Sequence, residues 1–254
     1  MALSTDQNRY RKPRRTLLYG PGGIGKSSWG ATVDQATRKP IEAGIVFLPC
    51  EEGINDLPDE IQRYPLITSW DQLMGYIGEI AQEPHEFRKV VLDTADWAEK
   101  LSWARVCLEK GVEAIGDVKY GKGYIASVRL WQDLLMAFDW LRDNRGMDIV
   151  ILAHAKAHKF EDPENPSYDR WQPKLHEHVD NLLFEWADEV FFANFQTIVK
   201  TEDAGFNREI GKAKGTGKRI MRTTARPAAK AKNRLSMPDE IPFDYSEYLK
   251  YRNK

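Results

Sequence analysis

The sequence predicts an α/β protein with a mainly parallel, twisted sheet covered by helices. Three observations carry that expectation. Gly20-Pro21-Gly22-Gly23-Ile24-Gly25-Lys26-Ser27 fits the phosphate-loop pattern G-x-x-x-x-G-K-[ST] at every fixed position, between an apolar run and a helix-forming stretch. Compact apolar runs recur at 45–48, 90–92 and 149–153, as strands buried on both faces require. Between them, at 70–80 and 124–144, apolar residues recur at helical spacing.

The chain has 254 residues, enough to bury a full core as one α/β domain. Net charge is −1, so bulk electrostatics announces no polyanionic partner. The two cysteines, Cys50 and Cys107, imply no disulfide framework and fit a reducing compartment. The start of the chain is polar and basic, without the apolar core of a signal peptide, and nothing approaches the ~20 apolar residues of a membrane span. The expectation is a soluble, cytoplasmic protein with no membrane partner.

In chain order, residues 1–14 form a basic arm, with Arg9, Arg11, Lys12 and Arg14 around Tyr10 and Pro13. It is either a solvated tail or a segment that docks on a neighbouring subunit or on phosphates. Residues 15–19 read as a short buried strand leading into the glycine-rich loop. There, glycines let successive backbone N–H groups turn inward around phosphate oxygens. The helix expected over 26–37 aims its positive end at the same anion. Gly20, Pro21, Gly22, Gly23, Ile24, Gly25, Lys26, Ser27 and Ser28 are the nucleotide-binding candidates, with Lys26 reaching the β- and γ-phosphates. The Ser27 hydroxyl is a hard oxygen ligand suited to Mg²⁺.

The strand at 45–48 ends in Pro49-Cys50-Glu51-Glu52-Gly53, and the carboxyl ends of such strands are where open α/β sheets place their sites. A carboxylate there is a candidate for orienting an attacking water. Leu66-Ile67 reads as a small strand, and Trp70, Leu73, Ile77 and Ile80 as a core-facing helical stripe. Lys89-Val90-Val91-Leu92-Asp93-Thr94 runs apolar residues into an aspartate, the arrangement that supports Mg²⁺ and its waters, with Asp96 a lesser candidate. A helix over 97–110 precedes a glycine-rich loop over 111–123, where Lys119, Lys122, Tyr120 and Tyr124 suit a single strand through phosphate contacts and stacking. The helix over 124–144 buries Ile125, Val128, Trp131, Leu134, Leu135, Phe138 and Leu141, and Gly146 stops it. The strand at 148–154 ends in His154, near the expected γ-phosphate. Residues 155–173 lack apolar periodicity and read as a loop, with Lys156, Lys159, Phe160 and Arg170 offset by acids. His154, His158, His176 and His178 match no zinc template. A helix over 174–186 and a strand over 190–193 follow.

Positive charge collects in 197–234, eleven lysines and arginines against three acids. Gly211, Gly215 and Gly217 suggest a hairpin loop before a strand at 219–224. Such a patch favours a polyanion or an acidic neighbouring subunit. The end of the chain reads as a terminal helix.

Taken together, these residues resemble the RecA-like P-loop ATPase core, and more narrowly the phage-encoded, RecA-core-only single-strand annealing proteins. The resemblance spans roughly 15–245, leaving 1–14 as an arm and 246–254 as a C-terminal tail. It rests on Gly20–Ser27, Phe47-Leu48-Pro49-Cys50-Glu51, Val91-Leu92-Asp93, Leu152-Ala153-His154-Ala155-Lys156 and Ala231-Lys232-Asn233-Arg234. It implies ATP and Mg²⁺ as cofactors, with Mg²⁺ held by Ser27 and Asp93. It implies Glu51 as the water-activating glutamate (Glu52 in reserve), Lys26 as the phosphate lysine and His154 as a γ-phosphate sensor where relatives often carry glutamine. It places DNA-binding loops at 112–123 and 156–173, hence Lys119, Lys122, Lys156, Lys159, Phe160 and Arg170, and makes Lys232 and Arg234 cations that reach into a neighbouring subunit's nucleotide. The implied partners are single-stranded DNA, a single-strand DNA-binding protein and further copies of the chain in a ring or filament. For a phage-encoded protein the compartment is the bacterial host's cytoplasm. Unlike RecA, these residues are not expected to include separate oligomerisation and DNA-gathering modules, and the basic arm 1–14 is a candidate to replace the former in part. Two other readings stay open: a helicase or helicase loader on the same core, and a nucleotide-gated assembly module that never touches DNA.

Overall fold

The computed structural model describes residues 12–203 and 209–253, and for 198–203 and 209–214 the backbone alone. The arm residues Arg9, Tyr10 and Arg11 and the basic Arg208 lie outside the described residues, as do the side chains of Lys200, Lys212 and Lys214.

Among the described residues, nine strands form a sheet whose core is parallel. In chain order they are β1 (Arg15–Gly20), β2 (Ile45–Pro49), β3 (Gln62–Arg63), β4 (Lys89–Asp93), β5 (Asp148–Phe160), β6 (Tyr168–Pro173), β7 (Glu189–Asp203), β8 (Glu209–Arg222) and β9 (Glu240–Pro242). They lie in the order β3-β2-β4-β5-β1-β7-β8-β9, with β6 paired to β5. The helices are α1 (Lys26–Gly30), α2 (Trp70–Gln82), α3 (Ala95–Lys110), α4 (Lys122–Arg145), α5 (Glu177–Trp186) and α6 (Tyr245–Arg252).

Alternation along each apolar run explains the layers. Leu17, Tyr19, Val46, Leu48, Val90, Leu92, Ile149 and Ile151 share one core with the buried stripes of α2, α4 and α5. The intervening Leu18, Phe47, Val91, Val150 and Leu152 pack on the other face with Ile24, Trp29, Tyr245 and Tyr248. Both faces are therefore covered, which is why these strands read as unbroken apolar runs. Trp70, Leu73, Ile77 and Ile80 of α2 are all buried, and the Ser69 side chain caps that helix by accepting from the Gln72 N–H. On α4 the expected stripe is buried from Trp131 to Leu141, but Ile125 is 59% exposed, because the start of the helix buries Gly123 and Ser127 instead.

Several local expectations are corrected. The helix after the glycine-rich loop ends at Gly30, not near 37. A Cβ at Gly30 would sit 3.1 Å from Val91, so the helix end lies tightly against the sheet. Beyond it Thr32 takes φ 54°, Val33 bridges Pro40, and the Asp34 carboxylate accepts from the Ala36 and Thr37 N–H groups, a local bonding scheme that competes with helix. Leu66-Ile67 is not a strand. The edge strand is Gln62–Arg63, and Ile67 instead buries its side chain and donates its N–H to the Pro49 carbonyl. The glycine-rich stretch 111–123 contains two 3₁₀ turns, Ile115–Asp117 and Lys119–Gly121, and α4 begins at Lys122. Residues 155–173 are not a plain loop: β5 continues past His154 and pairs antiparallel with β6. That hairpin is half exposed and short of apolar residues, so it carries little periodic signal. Gly211, Gly215 and Gly217 do not form a hairpin loop but belong to β8, which pairs with β7 from Asp203↔Glu209 onward. Gly217, at φ 74°, faces the β-bulge between Phe195 and Thr197.

Candidate active site

The parallel strands end together, and their carboxyl ends bring the chemistry to one edge. β1 delivers the glycine-rich loop. β5 lies between β1 and β4, with Gly20 paired to His154 and Asp93 paired to Leu152. β2 lies beyond β4, with Pro49 paired to Asp93, so Glu51 emerges beside the same edge.

The loop itself is open. A Cβ on Gly22 or Gly23 would meet nothing within 4 Å. Gly25 has φ 101°, a conformation that an L side chain rarely adopts. Lys26 is 6% exposed and its ammonium donates to the Gly20 and Pro21 carbonyls, each at 3.2 Å. Burial lowers its pKa, opposed by the charges of Asp93, Glu51 and Asp96.

The Ser27 hydroxyl donates to the Asp93 carboxylate at 2.6 Å. Burial pushes Asp93 up to about 6; the Ser27 hydrogen bond lowers it and the Glu51 charge raises it further. A buried carboxylate beside a hydroxyl and short of positive charge fits a divalent cation with hard-oxygen preference. Among the described residues no group of three or more His, Cys, Asp or Glu is arranged to hold a metal. An ion at Ser27 and Asp93 would therefore complete its shell with phosphate and water oxygens.

His154 connects two acids. Its ring Nδ1 lies 3.1 Å from Asp96, its backbone N–H donates to the same carboxylate at 2.9 Å, and its Nε2 faces Glu51 at 3.9 Å. Burial alone would raise Asp96, but the ring and backbone hydrogen bonds from His154 outweigh it and hold the carboxyl below its usual range. Asp96, only a lesser candidate in the sequence, thus orients the expected sensor, and it does so from the first turn of α3. Glu52 is exposed. One turn beyond Asp96, Glu99 is buried and accepts the His176 N–H at 2.9 Å; burial pushes it up to about 7.

The other expected residues fall in two places. Lys119 and Lys122 are exposed at the turn before α4. On the hairpin, Lys159 is exposed, Lys156 donates to the Leu175 carbonyl at 2.6 Å, and the Arg170 guanidinium lies 3.9 Å over the Phe160 ring. Lys232 and Arg234 sit elsewhere. Lys232 bridges Val190 and its ammonium donates to the Phe184 carbonyl, while Arg234 pairs with Asp188, which also holds Arg15. Arg234 shares Asp188 with Arg15 at the start of β1, and Lys232 bridges Val190, which is level with Leu17, so neither cation stands at the carboxyl end of β1, where this chain's own loop begins. Sequence reasoning missed Arg219 of β8, which donates to the Ile24 carbonyl of the glycine-rich loop at 3.1 Å. It was visible in the sequence only as one charge in a basic stretch.

A family model described as an AAA domain matches residues 12–235. The chain belongs to that AAA-domain family. Its matched region runs from just before β1, ahead of the phosphate loop, through Lys232 and Arg234. Among solved structures, the RadB recombinase is similar to the chain at a TM-score of 0.48 and 9% identity, over 93% of this chain and 90% of that one. Curated protein sequences yield no match. No helix of this AAA domain is long and apolar enough to cross a membrane among the described residues.

Proposed function

We propose that this AAA-family protein is a Mg²⁺-dependent ATPase of the phage RecA-core type, which binds single-stranded DNA as an oligomer and promotes single-strand annealing or recombination. A single-strand DNA-binding protein is the partner that such a role calls for. The observation that carries this reading is the continuity of β5. The strand that ends its parallel pairing at His154, between Asp96 and Glu51, runs on without a break into the hairpin bearing Lys156, Lys159, Phe160 and Arg170. A rigid strand shared by the nucleotide edge and an aromatic, cationic hairpin is a physical route for one to bias the other.

In this mechanism the backbone of residues 22–27 and Lys26 hold the phosphates. Bound Mg²⁺, held by Ser27 and Asp93, would neutralise phosphate charge. Glu51 orients the attacking water, and His154, fixed by Asp96, senses whether the terminal phosphate is present. Lys232 and Arg234 lie away from the strand end that carries their own loop, which suits a role on a neighbouring subunit's nucleotide. Hydrolysis would then relax the hairpin's hold on DNA.

The test is ATP turnover by purified protein with and without single-stranded DNA, with Lys26→Ala as control. Stimulation by DNA that the variant abolishes supports the reading. Turnover indifferent to DNA, with no DNA binding in ATP or a slowly hydrolysed analogue, overturns it in favour of a nucleotide-gated assembly module.

A further inference from the structure

The contact between Arg219 and the phosphate loop spans 195 residues of sequence and joins the two halves of the sheet. Arg219 uses both arms of its guanidinium. Nη1 donates to the Ile24 carbonyl at 3.1 Å, and Nη2 donates to the Gln35 side-chain oxygen at 2.7 Å. Gln35 is fixed in turn, because its amide donates to the Phe243 carbonyl at 2.6 Å. A Cβ built on Gly25 would lie 2.8 Å from Nη1, so the guanidinium is pressed against the loop's last glycine. Ile24 presents its carbonyl to the arginine. A planar, two-armed donor suits this bridge better than a point charge does.

The position of Arg219 within β8 gives the contact a second meaning. Arg219 pairs with Phe195, and the register shifts between Phe195 and Thr197. Gly217, two residues before Arg219, has φ 74°. The β7–β8 ribbon therefore has its bulge and its left-handed residue immediately beyond the clamp. On one side of that joint, Phe192–Phe195 and Arg219–Arg222 are part of the sheet; on the other, β7 and β8 pair only with each other.

We propose that Arg219 is a positioning residue. It holds the phosphate loop in its nucleotide-ready shape through Ile24, and it is the point at which the β7–β8 ribbon bears on that loop. The inference rests on the nucleotide-binding reading of the loop only for its consequence, not for the clamp itself. A ligand that engages the ribbon would alter nucleotide affinity through this one side chain.

The experiment measures two quantities in Arg219→Gln, Arg219→Lys and Gln35→Ala, the last a change at an exposed residue: amide hydrogen exchange of residues 22–28 without nucleotide, and the KM and kcat for MgATP. Loss of a charged hydrogen bond to the loop predicts about tenfold faster exchange and an about tenfold higher KM in Arg219→Gln. The kcat should stay within about twofold, because Arg219 contacts the loop and not the reacting atoms. Arg219→Lys recovers part of both effects, and Gln35→Ala gives a weaker version of each. Wild-type exchange and KM in Arg219→Gln would overturn the proposal. If wild-type protein binds no MgATP but loop exchange still responds as described, the clamp stands and the ATPase reading fails.

Discussion

The two ends of the parallel sheet use buried charge in opposite ways. At the amino ends of the strands most of the charges are partnered. Lys89 is held by Glu42 and the Tyr245 hydroxyl at 2.6 and 2.7 Å, Arg252 pairs with Asp148 and Glu42, and Glu189 accepts from Thr16 and Tyr248. Arg252 is raised: burial works against it, but Asp148 and the other partners around it prevail. At the carboxyl ends, Glu51, Asp93 and Asp96 converge on Lys26 and His154, and Asp93 is pushed up to about 6. The first end ties α6 to the sheet. The second is left short of positive charge, as a site awaiting Mg²⁺ and a nucleotide would be.

The sharpest way to break this contrast is to exchange effects between the ends. Glu51→Gln should lower ATP turnover by roughly 10²–10⁴-fold, the usual effect of a general base, while leaving the thermal midpoint near wild type. Arg252→Met at the other end should destabilise the fold by about 3 kcal/mol, because it leaves buried Asp148 without its cation, while turnover per folded molecule is kept. Turnover assays beside urea titrations decide it; an unfolded Glu51→Gln, or an inactive but fully stable Arg252→Met, would dissolve the division of labour.

Next in size is the nucleotide-free stability of Asp93→Asn. Burial pushes Asp93 up to about 6, above the ordinary aspartate range. The carboxylate is therefore disfavoured in the fold: it costs little below about pH 4, its cost grows as pH rises from about 4 to about 6, and it levels off above that. Removing it should stabilise the protein at pH 7 by on the order of 2 kcal/mol and change little at pH 4. Urea midpoints at the two pH values measure this, and a loss of stability at pH 7 would contradict it. Smaller still, Asp96→Asn should reduce kcat about tenfold with little change in KM, since it acts through His154. A KM effect alone would instead place Asp96 in nucleotide binding. Smallest, Lys159→Ala should lower the salt slope of single-strand binding by about 0.7, the share of one phosphate contact, whereas Lys250→Ala, on α6, should not.

Legibility in the sequence followed the range of the forces involved. The glycine-rich loop, the apolar strands and the α2 stripe are local patterns, and each sits where its pattern placed it. The β5–β6 hairpin was read as a loop because its residues alternate toward solvent and include few apolar side chains. β8 was cut short for a similar reason: its glycines look like a turn, but Gly217 serves a bulge inside a strand. Helix α1 ends short of the expected 37 because Thr32 turns left-handed and Asp34 bonds the Ala36 and Thr37 N–H groups, which apolar spacing does not show.

By itself, then, the sequence determined a phosphate loop between strand and helix, an aspartate at the end of a buried strand, and an α/β layer order, because backbone conformation and apolar periodicity are written in neighbouring residues. Only the tertiary structure decided which strand lies beside which. By inserting β5 between β1 and β4, it set His154 between Asp96 and Glu51, and by folding β8 back along β7 it laid Arg219 on Ile24. Those contacts join residues tens to nearly two hundred positions apart, and pairing at that distance is settled by packing of the whole sheet, on which local patterns are silent.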